Sequence, residues 1–105
     1  MVVARLSKWL FKEGKRKEIF QELDSTFGDI ARQTKGYRGV LSLMDIQDPN
    51  RGIVITLWTD EDASKASEGG VFKEAIQKVI DYLQEPPVVE KYRVFTAELR
   101  QLVPS

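Results

Sequence analysis

Alternation dominates the start of the chain. Val2, Ala4, Leu6 and Leu10 fall on one side of an extended segment, and Val3, Trp9 and Phe11 on the other. A period of two with this residue content predicts a strand over 2–11, closed by a turn at Gly14. The period then lengthens. Ile19, Phe20, Leu23, Phe27, Ile30 and Ala31 recur at helical spacing, which predicts one amphipathic helix over about 15–35. Lys35 followed by Gly36 supplies its C-terminal signal. Alternation returns over 37–47 and again over 53–58, with Asp48-Pro49-Asn50-Arg51-Gly52 as the turn between two hairpin strands. Thr59, followed by Asp60, Glu61 and Asp62, reads as the N-cap of a short helix that Gly69-Gly70 interrupts. Phe72, Ala75, Ile76, Val79, Ile80 and Leu83 draw the inner stripe of a second main helix over about 71–84, which Pro86-Pro87 stops. A last strand is predicted over 88–99, and 100–105 carry little pattern.

The predicted order β-α-β-β-α-β is the ferredoxin-like split arrangement, an α+β fold. Right-handed crossovers place the first strand beside the third, with the fourth on its other side. Both helices then cover one face of a four-stranded antiparallel sheet. The opposite face should be polar in a lone domain, yet the strands are apolar on both sides. In the second strand Tyr37, Leu41 and Leu43 oppose Val40, Met44 and Ile46; in the third, Ile53, Ile55 and Leu57 oppose Val54 and Trp58. An uncovered apolar sheet face exceeds what a monomer normally exposes. A homodimer packed through the helix-free sheet face is therefore expected.

A length of 105 residues suits a single domain, 1–105. With 16 basic and 16 acidic side chains the net charge is zero, so no basic excess marks a nucleic-acid partner. The chain has no cysteine and no histidine. Thiolate chemistry, disulfides and imidazole ligation are thereby excluded, and a general base must be a carboxylate, a Lys, a Tyr or the substrate itself. No resident metal or cofactor is expected. No apolar run approaches the ~20 residues that span a bilayer, so no membrane partner is expected, and a cytoplasmic location is the default.

Certain stretches carry a family resemblance: the turn Lys12-Glu13-Gly14-Lys15, the opening Lys35-Gly36-Tyr37-Arg38-Gly39 of the second strand, Leu57-Trp58-Thr59-Asp60-Glu61-Asp62-Ala63, and Val71-Phe72-Lys73-Glu74-Ala75. Together with the element order they make nearly the whole chain resemble the antibiotic biosynthesis monooxygenase (ABM) domain family. That resemblance implies a dimeric α+β barrel. The family includes cofactor-free monooxygenases and haem-degrading enzymes. The latter place a haem-ligating His four residues after the helix Phe, where this chain has Ile76, and an Asn on the first strand, near Ser7 here. Without imidazole, His-ligated haem is excluded.

The expected site is a pocket between helices and sheet. Trp58, Phe72, Ile76 and Met44 are its candidate walls, and Arg5, Tyr37, Ser7 and Trp9 its candidate polar or aromatic contributors. Each has a simpler reading. Phe72, Ile76 and Met44 suit a core, Trp58 suits a packed indole whose N–H meets backbone, and Arg5 suits a stem that snorkels to the sheet rim. Two functions remain open. One is a cofactor-independent monooxygenase acting on a small aromatic or quinol; the other is a non-catalytic small-ligand-binding or regulatory dimer.

Overall fold

A computed structural model describes residues 1–102, apart from the side chain of Val71; the end of the expected domain, 103–105, lies outside them. The elements are β1 (Val3–Leu10), α1 (Arg16–Leu23), a π-helical turn (Asp24–Gly28), α2 (Asp29–Gln33), β2 (Tyr37–Met44), β3 (Arg51–Trp58), α3 (Glu61–Ser67), α4 (Val71–Val79), a 3-10 turn (Ile80–Tyr82) and β4 (Val88–Arg93). The strands form one antiparallel sheet in the order β2-β3-β1-β4. This is the α+β ferredoxin-like arrangement read from the sequence. Among the described residues no helix is long and apolar enough to cross a membrane.

The predicted first helix is interrupted but not broken. Leu23, Asp24, Gly28 and Asp29 all keep right-handed helical dihedrals, so α1 runs through the π-turn into α2. A π-turn inserts an extra residue and rotates the stripe that follows it. The hydrophobic spacing alone does not reveal such an insertion. The second main helix is shorter than predicted. It tightens into the 3-10 turn, and Leu83 instead bridges Phe11. The helix N-cap is Asp60 rather than Thr59: the Asp60 carboxylate accepts from the Ala63 amide at 2.8 Å.

Two strand ends also differ from the alternation. β2 stops at Met44 because the Asp45 carboxylate turns the chain, accepting from the Gln47 and Asp48 amides at 2.8 Å each. β4 stops at Arg93, because its neighbour β1 offers only one further partner, the Val2 carbonyl, to the Val94 amide. A larger correction lies at the start of β2. Tyr37 pairs with Trp58 and Gly39 with Leu57, so Arg38 is the extra residue of a bulge. Tyr37 therefore shares a face with Val40 and Ser42, not with Leu41 and Leu43.

On the helix side of the sheet, Trp9 and Phe11 pack with Ile19, Phe20 and Leu23 of α1 and with Val79 and Leu83. Trp9 and Phe11 are stacked, and Phe20 meets Phe11 edge-on at 5.3 Å between centroids. Gly52, opposite Trp9 in the ladder, leaves the space that the Phe20 ring fills. This buried cluster thus lies toward the β2–β3 hairpin. Toward the other end of the sheet the helices stand off from the strands.

Candidate functional site

Where the helices stand off, a cavity of about 190 Å³ opens between them and the sheet. Its sheet floor comes from three strands: Arg5, Ser7 and Trp9 of β1, Val54, Thr56 and Trp58 of β3, and Tyr37, Val40 and Ser42 of β2. Ladder pairing sets these side by side, Arg5 opposite Thr56 and Ser7 opposite Val54. The roof is the helical strip Phe20, Leu23, Phe27 and Ala31, with Ser67, Gly69 and Phe72 from the α3–α4 junction. Phe27 and Phe72 meet at 5.2 Å between centroids, which ties the π-turn to α4. The bulge has a direct consequence here. It turns Tyr37 inward, where its ring meets the Trp58 indole edge-on at 5.7 Å.

The two indoles are fixed by the same device on adjacent strands. Trp9 Nε1 donates to Ser7 Oγ at 2.8 Å, and Trp58 Nε1 donates to Thr56 Oγ1 at 2.9 Å. Residues two apart on a strand share a face, so a hydroxyl at i can hold an indole at i+2. The N–H of Trp58 therefore meets a side chain, not the backbone expected from the sequence. Trp58 is buried, yet one of its surfaces is cavity wall. A rigid, hydrogen-bonded indole is a fixed platform for a flat ligand.

Arg5 departs further from the simple reading. Its side chain does not snorkel; it is only 5% exposed and runs beneath the α3–α4 junction. Nη1 donates to the Ser64 carbonyl at 3.2 Å and to Ser67 Oγ at 2.5 Å. These acceptors lie in the last turn of α3, where a cation is favoured. The guanidinium also lies 4.7 Å from the Phe72 ring centroid and 5.2 Å from that of Trp58. Burial lowers its pKa from the ordinary value and the charge of Glu68 opposes that fall. An arginine nevertheless stays charged across the working range.

At the rim, Arg32 spans Asp24 at 3.2 Å and Asp29 at 3.0 Å. Its guanidinium lies against Gly28, where a Cβ would fall 2.8 Å from Nη2. Burial raises the Tyr37 phenol above its ordinary pKa, with Arg32 opposing and Asp24 adding to the shift. The phenol is therefore a hydrogen-bond donor at neutral pH.

Of the residues singled out from the sequence, Arg5, Ser7, Trp9, Tyr37, Trp58 and Phe72 come together around the cavity. Met44 and Ile76 are not among the lining residues. Met44 lies opposite Gly52 at the hairpin end and is half exposed. Ile76, one turn beyond Phe72, packs against the Trp9–Phe11 core. Asp24, Phe27, Thr34, Thr56 and Ser67 line the cavity without having been singled out. Thr56 was legible in principle, since Ser7-x-Trp9 and Thr56-x-Trp58 repeat one hydroxyl–indole spacing. The others depend on the π-turn and on the α3–α4 junction.

Neither a family model nor a curated protein sequence matches the chain. Solved structures do. One, assigned as an antibiotic biosynthesis monooxygenase from Bordetella bronchiseptica, superposes with a TM-score of 0.78 at 18% identity, covering 90% of this chain and 98% of that one. SnoaB, a cofactor-independent oxygenase from Streptomyces nogalater, gives 0.78 at 14% identity over 91% of this chain and 95% of its own. A protein of unknown function from Nitrosomonas europaea gives 0.77 at 21% identity over 94% of each chain. At such identities a likeness establishes fold and not activity. With its sheet order and its helices on one face, this chain has the ABM-domain fold.

Proposed function

We propose that the chain is a cofactor-independent monooxygenase acting on a small electron-rich aromatic of the quinol type. The observation that carries this reading is the cavity itself: about 190 Å³ walled by Trp58, Tyr37, Phe27 and Phe72. An apolar cavity of ~150 Å³ accommodates benzene, so this one suits a substituted single ring. The indole and phenyl faces orient the ring and keep water from the reacting carbon. The SnoaB fold supplies a precedent for oxygenation without a cofactor, although substrate and activity belong to each protein separately.

The chemistry asks little of the protein. The quinol loses a hydroxyl proton to solvent, and its ring carbon becomes carbanion-like. That carbon passes electrons to molecular oxygen and forms a C–O bond; the peroxide so formed takes up a proton. Loss of water, with cleavage of the O–O bond, leaves a carbonyl. The sum is quinol plus O₂ giving hydroxyquinone plus water, and the substrate supplies all the electrons. Orientation and stabilisation of developing oxyanion charge are the protein's share.

An oxygen electrode with a panel of substituted hydroquinones tests the proposal. Saturable uptake of one O₂ per hydroquinone above the protein-free rate, weakened by Trp58→Phe, is the expected result. Rates equal to the blank across the panel refute the catalytic reading. A second reading, ligand binding without turnover, is favoured by one observation: the Ser7 and Thr56 hydroxyls are already engaged by indole N–H groups. Saturable binding with no oxygen uptake is its signature.

The same reading places a second copy of the chain on the helix-free sheet face. Leu6, Leu41, Leu43, Ile53, Ile55 and Leu57 lie there, half-buried or exposed in the single chain. No helix of the described residues covers them, and a self-complementary apolar face suits an isologous dimer. A monomeric mass by light scattering at micromolar concentration overturns this part.

A further inference from the structure

We propose that the occupant of the cavity is an anion, an aromatic phenolate whose ionised oxygen is held by the open edge of the Arg5 guanidinium. This inference rests on the reading of the cavity as an aromatic site, and it makes no use of turnover.

The first ground is charge. Arg5 is buried inside a strand, where a cation needs a counterion. The carboxylate nearest to it is Glu68, with Oε1 3.8 Å from Nη1. That same oxygen also takes Lys91 Nζ, at 2.5 Å. Two cations thus share one carboxylate, and the group of three carries a net positive charge. Asp24 also lines the cavity, but it sits at the rim and is paired with Arg32. Tyr37 contributes a neutral donor. Among the described residues, Arg5 is therefore the one cation on the cavity lining, and it has no carboxylate to itself.

The second ground is hydrogen bonding. Both hydrogen bonds that Arg5 makes among the described residues use Nη1. Nε and Nη2 have no acceptor among the described residues. Neither is sealed away, because Ser64 Oγ is the one fully enclosed side-chain polar atom there without a partner. The Nε–Nη2 edge is the fork with which arginine grips an oxyanion. The third ground is the ring. Arg5 lies against Trp58 and Phe72, so an oxygen on its open edge extends an aromatic ring between the walls already described.

The probe is 4-nitrophenol, whose ionised form absorbs visible light, with nitrobenzene as the neutral analogue that lacks the oxygen. Spectrophotometric pH titration reads the phenol's ionisation free and bound. Preference for the phenolate lowers the bound pKa, and each unit of lowering is a tenfold affinity ratio between the two forms. The expected result is a fall of about one to two units, matching a charge-assisted hydrogen bond. In Arg5→Gln the shift vanishes; in Arg5→Lys, which keeps the charge and loses the fork, it shrinks. Should Arg5→Gln fail to fold, nitrobenzene binding at least tenfold weaker than nitrophenolate to the unaltered protein still supports the proposal. Three results overturn it: binding with an unshifted pKa, a shift that survives Arg5→Gln, or no saturable binding of nitrophenolate. Oxygen uptake without a phenolate preference would leave the catalytic reading standing and remove this one.

Discussion

Gly52→Ala tests how the core fixes one wall of the cavity. Gly52 needs no unusual backbone angle; what it provides is space. A Cβ there falls 2.3 Å from Phe20 Cζ, 2.9 Å from Cε2 and 3.3 Å from the Leu43 carbonyl oxygen. Carbon atoms in contact sit about 3.5–4.0 Å apart, so the ring must retreat by more than about 1 Å. It has little freedom to do so, since Phe20 is buried and packs edge-on against Phe11. Forcing one methyl into such a contact costs about 1–3 kcal/mol. For a chain of this length that lowers Tm by about 4–20 °C, read by circular dichroism. Phe20→Leu in the Gly52→Ala background should recover part of the loss, giving a coupling energy in a double-mutant cycle. Gly69→Ala is the control, because nothing lies within 4 Å of a Cβ there. A Gly52→Ala protein within about 2 °C of the parent, with an unchanged Phe20→Leu effect, refutes the reasoning.

Ser64→Ala should stabilise the fold by about 1 kcal/mol in urea denaturation, since it removes an enclosed hydroxyl that has no partner among the described residues and adds a better helix former. Equal or lower stability would mean that the hydroxyl is paired. The Asp48 and Gln47 amides hold the Asp45 carboxyl below its ordinary pKa. Its contribution to stability is therefore full above the ordinary carboxylate range and lost as pH falls through the lowered folded value. Comparing acid unfolding of the parent with Asp45→Asn checks this: the variant should show less dependence on pH in that window. Ile55→Lys, opposite Leu6 on the helix-free face, should give a monomer by light scattering where a dimer is expected of the parent. An unchanged mass would place the interface elsewhere.

The fold was legible because its cues were local and agreed with one another. Periods of two and of about 3.6, the turn signal around Asp48-Pro49-Asn50 and Pro86-Pro87 placed every main element, although Arg51 and Gly52, read as turn, already belong to β3. What escaped were single-residue insertions. The bulge at Arg38 adds one residue to a strand and so moves Tyr37 across the sheet, which no alternation count shows. The π-turn at Asp24–Gly28 does the same to a helix, and it brings Asp24, Phe27 and Gly28 to the cavity. Met44 shares the helix-side face with Val40 and Ser42 but sits at the hairpin end of β2, away from the cavity lining. Ile76 shares a helix with Phe72, yet it points to the core around Val79. Arg5 was misread for another reason: a strand-borne arginine ordinarily reaches for water, and its acceptors on α3 lie 59 and 62 residues away in sequence. Both irregular insertions and the buried cation border the cavity, where local rules are most often broken for function.

The chain has two tryptophans, Trp9 and Trp58, and both line the cavity. Their indole N–H signals in a nitrogen–proton correlation spectrum can be followed while hydroquinone is added. A saturable shift of the Trp58 signal, with amides of Leu6 and Ile55 on the opposite sheet face unmoved, is the predicted result. Saturable shifts confined to that opposite face, or none up to millimolar ligand, would contradict an aromatic site between the helices and the sheet.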